Sequence, residues 1–179
     1  MRDWSYYGAA HRYAVHEDEA AERLCDRTMR ELRLADDEAE LRRRAGAGDR
    51  CSAIAFFEIL VDADRLDELR AMQEAGDDRA GATLMEALSR QGREDELRRE
   101  IAAGHDVMWL VYYLKDLGRV DDALAALQEW ADQHPDEASL AHARRLTVLL
   151  EHGRVEEVRR AAESGDHTAA RHLRRFSSK

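Results

Sequence analysis

"DELRAMQEAGDD" (Asp67–Asp78) returns 28 residues later as "DELRREIAAGHD" (Asp95–Asp106), and more loosely 28 residues earlier as "AELRRRAGAGDR" (Ala39–Arg50). Leu41, Leu69 and Leu97 keep that spacing, and so do the pairs Gly48-Asp49, Gly76-Asp77 and Gly104-His105. "VEEVRRAAESGDH" (Val155–His167) brings the segment back near the C-terminus, with Val158 in the leucine position. A fixed period of this length is the mark of a repeat architecture, in which each repeat is one supersecondary unit stacked on its neighbours.

Each repeat reads as two helices. The glycine falls where a helix must end in a left-handed residue, and the aspartate after it suits the N-cap of the next helix. A second punctuation mark, Asp64-Arg65, Gly92-Arg93, Gly118-Arg119 and Gly153-Arg154, closes one helix and opens the next. Acidic residues follow it at once, favourable in a first helical turn. Helices of about ten to fifteen residues with links of about two to four form antiparallel hairpins.

"LGRVDDALAALQEWADQHP" (Leu117–Pro135) adds a sharper motif, with Gly118, Ala123, Leu127 and Pro135 separated by 5, 4 and 8 residues. It resembles the second helix of a tetratricopeptide repeat, and the 35 residues from Gly118 to Gly153 are close to that family's period. Trp130 replaces the small residue the family has three after the large apolar one. The shorter repeats lack the proline and are similar to degenerate Ala/Arg/Asp-rich repeats of actinobacterial proteins. The resemblance implies an all-α, right-handed α-solenoid of stacked hairpins, about ten to twelve helices in one domain over 1–179. Residues 1–34 would be capping helices (2–14 and 16–32), 35–165 the repeats, and 166–179 a cap helix and tail.

Composition fits that class. Apolar residues at 44% and charged residues at 37% suit a helix-rich globular chain, and one proline with no asparagine leaves too few turn formers for an all-β fold. A formal charge of −10 opposes nonspecific binding to nucleic acid or an anionic membrane. Cys25 and Cys51 have no metal or redox spacing, align with helix interiors and are expected as reduced thiols. Met1–Trp4 opens no apolar run, and Val107–Leu114 is far short of the roughly 18 residues of a membrane span. A cytoplasmic protein is expected.

No nucleotide-binding, hydrolase or metal motif is found: no P-loop, no G-x-S-x-G, and no histidine spacing that places two ligands on one helical face. No catalytic residue, metal or cofactor is therefore expected. The Asp and Glu residues behind each Gly-Arg pair read as helix N-terminal charge, and Arg42–Arg44 as a solvated face paired with Glu38 and Glu40.

The repeat supplies its own control for "HDVMWLVYYLKDLGR" (His105–Arg119). Aligned on the Gly-Arg marks, Phe57, Met85, Val111 and Leu146 share one position and Leu60, Leu88, Leu114 and Leu149 another, both expected in the core. Tyr112 stands where the sibling helices have Glu58, Glu86 and Thr147, and Trp109 where they have Ala55, Thr83 and Arg144. Tyr113 aligns with core positions. Trp109, Tyr112 and Lys115 thus form a face the scaffold does not require, with the composition of a binding hot spot. By the family resemblance this helix lines the concave groove. The expected function is a non-catalytic scaffold binding a peptide or protein partner, with Arg144, Glu58 and Glu86 at its flanks. Burial of the rings in the core or under the N-terminal cap segment, or in a homodimer contact, is the competing reading. An enzyme or ligand-binding protein, with a polar site assembled across helices from residues such as Glu58, Glu86, His142 and Arg144, is the alternative function.

Overall fold

The computed structural model describes residues 37–176, together with residues 27, 31 and 32, which are helical. The expected cap helices over 2–14 and 16–32 lie, those three positions apart, outside the described residues, as do Cys25 and the tail 177–179. Among the described residues the chain is all-α: α1 (Glu38–Gly46), α2 (Arg50–Asp62), α3 (Leu66–Glu74), α4 (Asp78–Gln91), α5 (Glu94–Ala102), α6 (Met108–Asp116), α7 (Val120–Gln133), α8 (Ala138–Glu151), α9 (Val155–Glu163) and α10 (His167–Phe176).

The chain forms two compact units, Met1–Leu84 and Met85–Lys179, and the division falls within α4. In the N-terminal unit α2 packs on both α1 and α3 around Leu41, Phe56, Phe57, Leu60 and Leu69, all buried. In the C-terminal unit each helix from α5 to α10 packs on the next, and α8 also packs on α10. Val111, Leu114, Leu127, Leu146 and Val158 are buried there. Each such side chain contributes about 1.5–3 kcal/mol. Both aligned core positions are buried in all four sibling helices, α2, α4, α6 and α8. Neighbour-to-neighbour packing of this kind is consistent with stacked helical hairpins.

The helix ends explain the period. The four sibling helices close with the same bond, in which the arginine N–H reaches the carbonyl five residues back: Arg65 to Leu60 (2.8 Å), Arg93 to Leu88 (3.0 Å), Arg119 to Leu114 (2.9 Å) and Arg154 to Leu149 (2.8 Å). This closure needs a left-handed residue just before the arginine. Gly92, Gly118 and Gly153 supply it at φ 70°, 74° and 73°, whereas Asp64 adopts φ 53° at the side-chain cost glycine avoids.

The Gly-Asp marks act as anticipated. Asp49 Oδ1 accepts the N–H groups of Cys51 and Ser52 at 3.0 and 3.2 Å, and Asp166 Oδ1 those of Thr168 and Ala169 at 2.9 and 3.0 Å. In the repeat that carries His105, Asp106 takes over and accepts the Met108 N–H at 2.9 Å. α6 starts only at Met108, with Val107 at its N-cap position, and is nine residues long. The short helices α1, α3, α5 and α9 also have nine residues, fewer than anticipated, because their two closing marks lie so near each other. Cys51 is not a helix-interior residue: it is half-buried in the first turn of α2.

Trp130, the departure from the family pattern, is buried at the end of α7. Its indole N–H donates to Glu137 Oε2 at 3.1 Å, and its ring stacks on His134 with centroids 3.7 Å apart. The bulky residue thus braces the α7–α8 link around Pro135.

The arginines of the punctuation marks do more than open helices. Arg119 donates to Asp122 of its own helix at 2.6 Å and back to Glu94 of α5 at 2.5 Å. Arg154 bridges Glu157 and Asp121 of α7, both at 2.5 Å, and Arg65 bridges Glu68 and Glu38 of α1, both at 2.6 Å. Arg93 holds Glu96 at 2.6 Å. Each bridging arginine ties the start of one helix to the start of the helix two before it in its unit. Hydrogen bonds from Arg65 hold the carboxyls of Glu38 and Glu68 below their usual range, and Arg154 does the same for Glu157. Burial opposes the charged form of Glu94, but Arg119 and Arg98 outweigh it and its pKa is also lowered.

Candidate functional site: the α6–α8 face

α6 buries Leu110, Val111, Tyr113 and Leu114, and this fixes which residues it turns outward. Tyr112 is 40% exposed. Trp109 is half-buried, not fully exposed, because its sibling position lies at the core edge: Ala55 is buried there in α2.

Lys115 corrects the expectation that it continues the exposed face. Its sibling positions, Val61, Ser89 and Leu150, are all buried. The lysine side chain is accordingly only 16% exposed, and its ammonium emerges against Glu151 Oε2 at 2.5 Å and 5.4 Å from the Tyr112 ring centroid. The stem packs while the charged head finds polar partners.

Arg144 on α8 reaches the other end of α6. Its guanidinium donates to both oxygens of Asp106, at 2.8 and 3.2 Å. Two ion pairs thus join α6 to α8, one at each end of α6, with Trp109 and Tyr112 between them. Leu140, four residues before Arg144 on α8, adds an exposed apolar side chain to the same helical face. His142, further along α8, turns to α10, where its Nε2 lies 2.6 Å from Asp166 Oδ2. Backbone N–H bonds led by that of Ala169, together with His142, hold the Asp166 carboxyl below its usual range.

Of the six residues singled out in the sequence, Trp109, Tyr112, Lys115 and Arg144 come together on this face. Glu58 is exposed on α2 in the other compact unit, and Glu86, half-buried on α4, lies 4.0 Å from Arg90 one turn on. Sequence reasoning missed the partners Asp106 and Glu151. The sign that pointed to Glu151 was available: a lysine at a position apolar or small in every sibling needs a counter-charge nearby.

Among the described residues, no three His, Cys, Asp or Glu side chains are placed to hold a metal ion, and no helix is long and apolar enough to cross a membrane. Compared with protein-family models, with curated proteins and with solved structures, the chain matches none of them.

Proposed function

We propose that this chain is a non-catalytic interaction module that recognises a protein or peptide through the α6–α8 face. The observation that carries the reading is Tyr112. A large aromatic residue is 40% exposed at a position where the sibling helices carry Glu58, Glu86 and Thr147, with no demand from the core. An exposed aromatic side chain set beside closed ion pairs matches the anatomy of recognition hot spots. We further propose that the hairpins within each unit stack in the right-handed, tetratricopeptide-like manner, with α6 and α8 as first helices lining the groove. The packing of α8 on α10, a helix two further along the chain, supports that arrangement.

The test is affinity capture from source-cell lysate with the wild type, Tyr112→Ala and, as a matched control, Glu58→Ala. Tyr112→Ala is cleaner than Trp109→Ala, which would disturb packing as well. A partner retained by the wild type and Glu58→Ala but lost by Tyr112→Ala supports the reading. A partner retained equally by all three places recognition elsewhere.

A further inference from the structure

The two ion pairs that frame the aromatic face share an asymmetry. In each, the cation is the more buried partner and the carboxylate the more exposed: Arg144 is 26% exposed against 51% for Asp106, and Lys115 16% against 50% for Glu151. What solvent meets on this surface is therefore a carboxylate at each end and rings between. Ion pairing does not exhaust these groups, since a carboxylate has about four acceptor sites. Asp106 precedes the first turn of α6 and Lys115 lies in its last, so the two carboxylates flank the rings from opposite ends of that helix.

We propose that this window, the recognition face on which the function above rests, binds an extended basic peptide segment. Two arginine or lysine side chains would pair with Asp106 and Glu151, while apolar residues between them pack on Tyr112 and Trp109. Charge complementarity selects the sign of the partner. An acidic segment or a nucleic-acid phosphate would meet both exposed carboxylates, and the formal charge of −10 on the whole chain would slow its approach. A basic segment is steered in.

The experiment uses the full chain and a fluorescein-labelled dodecapeptide with a central Arg-Pro-Leu-Arg, read by anisotropy at 50 and 300 mM NaCl. Companion peptides replace both arginines with glutamate or with serine. The expected result is saturable binding of the basic peptide, weakened at least tenfold by either replacement, by Tyr112→Ala and by the Asp106→Asn/Glu151→Gln pair, and weaker at high salt. Serine and arginine peptides binding alike, both sensitive to Tyr112→Ala, would overturn the charge assignment and leave the interaction reading standing. Basic-peptide binding that is indifferent to Tyr112→Ala, or absent, would overturn the proposal. So would a dimer in sedimentation velocity that Tyr112→Ala dissociates, which would give the face to a second copy. If the double variant fails to fold, the peptide series and the salt dependence on the wild type still decide.

Discussion

α2 and α6 are siblings whose inner faces agree and whose outer faces do not. Phe57 and Leu60 in α2, like Val111 and Leu114 in α6, are buried at matching positions. Outward, α2 shows Glu58 where α6 shows Tyr112; at the edge of the core, Val61 is buried in α2 where α6 has Lys115 with its ammonium drawn out to Glu151. The inner positions are set by what any stacked hairpin must bury. The outer ones are free to differ, so a costly residue placed there needs a reason outside the fold.

The largest expected effect separates those two faces. Leu114→Ala, like Leu60→Ala in the sibling, should cost about 2–5 kcal/mol of unfolding free energy in urea denaturation, since each removes a fully buried side chain. Tyr112→Ala should stay within about 1 kcal/mol. A cost for Tyr112→Ala as large as that for Leu114→Ala would make the ring part of the core.

Next is the turn at which the two siblings end. Asp64 adopts φ 53° where α6 ends on Gly118 at φ 74°. Asp64→Gly should stabilise the protein by about 0.5–1 kcal/mol, and Gly118→Ala should destabilise it by about 1 kcal/mol. Equal effects of the two changes in thermal melts would refute the strain at Asp64.

The arginine bridges come third. Arg119→Gln, which cuts the tie from α7 to α5, should lower Tm by a few degrees at low salt, and the gap should narrow in 1 M NaCl as screening removes the wild-type advantage. The pH dependence follows from the same bridges. Glu38, Glu68, Glu94 and Glu157 have folded pKa values below their unfolded ones. Their contribution is therefore full above the unfolded value of about 4.3 and is lost as pH falls through the lowered folded values. On the part of these carboxylates the urea midpoint should not change between pH 7 and 5 and should drop below about pH 4.5.

His172 on α10 gives the smallest signal. Burial, with Arg171, Arg175 and His142, lowers its pKa in the folded state. It favours folding while neutral, and that contribution erodes as pH falls below the unfolded value of about 6.5. A small loss of amide protection in α10 between pH 7 and 5.5, absent in His172→Gln, would show it.

The residues differ in how far their roles could be read from the chain. The leucine period and the Gly-Asp and Gly-Arg marks are local, because a helix end is settled by backbone conformation and a cap within five residues. Core positions followed from aligning siblings, which averages away single departures. The bridges Arg119–Glu94 and Arg154–Asp121 were not legible, since they join residues 25 and 33 apart whose first-turn acids had a sufficient local explanation. The repeated arginine with an acid three residues on, at Glu68, Glu96, Asp122 and Glu157, was the available sign. Lys115 was misplaced for a related reason: a charge suggested solvent, although its siblings' burial argued for a packed stem.

The most direct test of the recognition face is photo-crosslinking with p-benzoylphenylalanine placed at position 112 of α6 or at position 58 of α2, in separate full-length proteins incubated with source-cell extract. The account predicts a discrete crosslinked partner from position 112, competed away by unlabelled wild type, and none from position 58. The same adduct from both positions, or from position 58 alone, would contradict it.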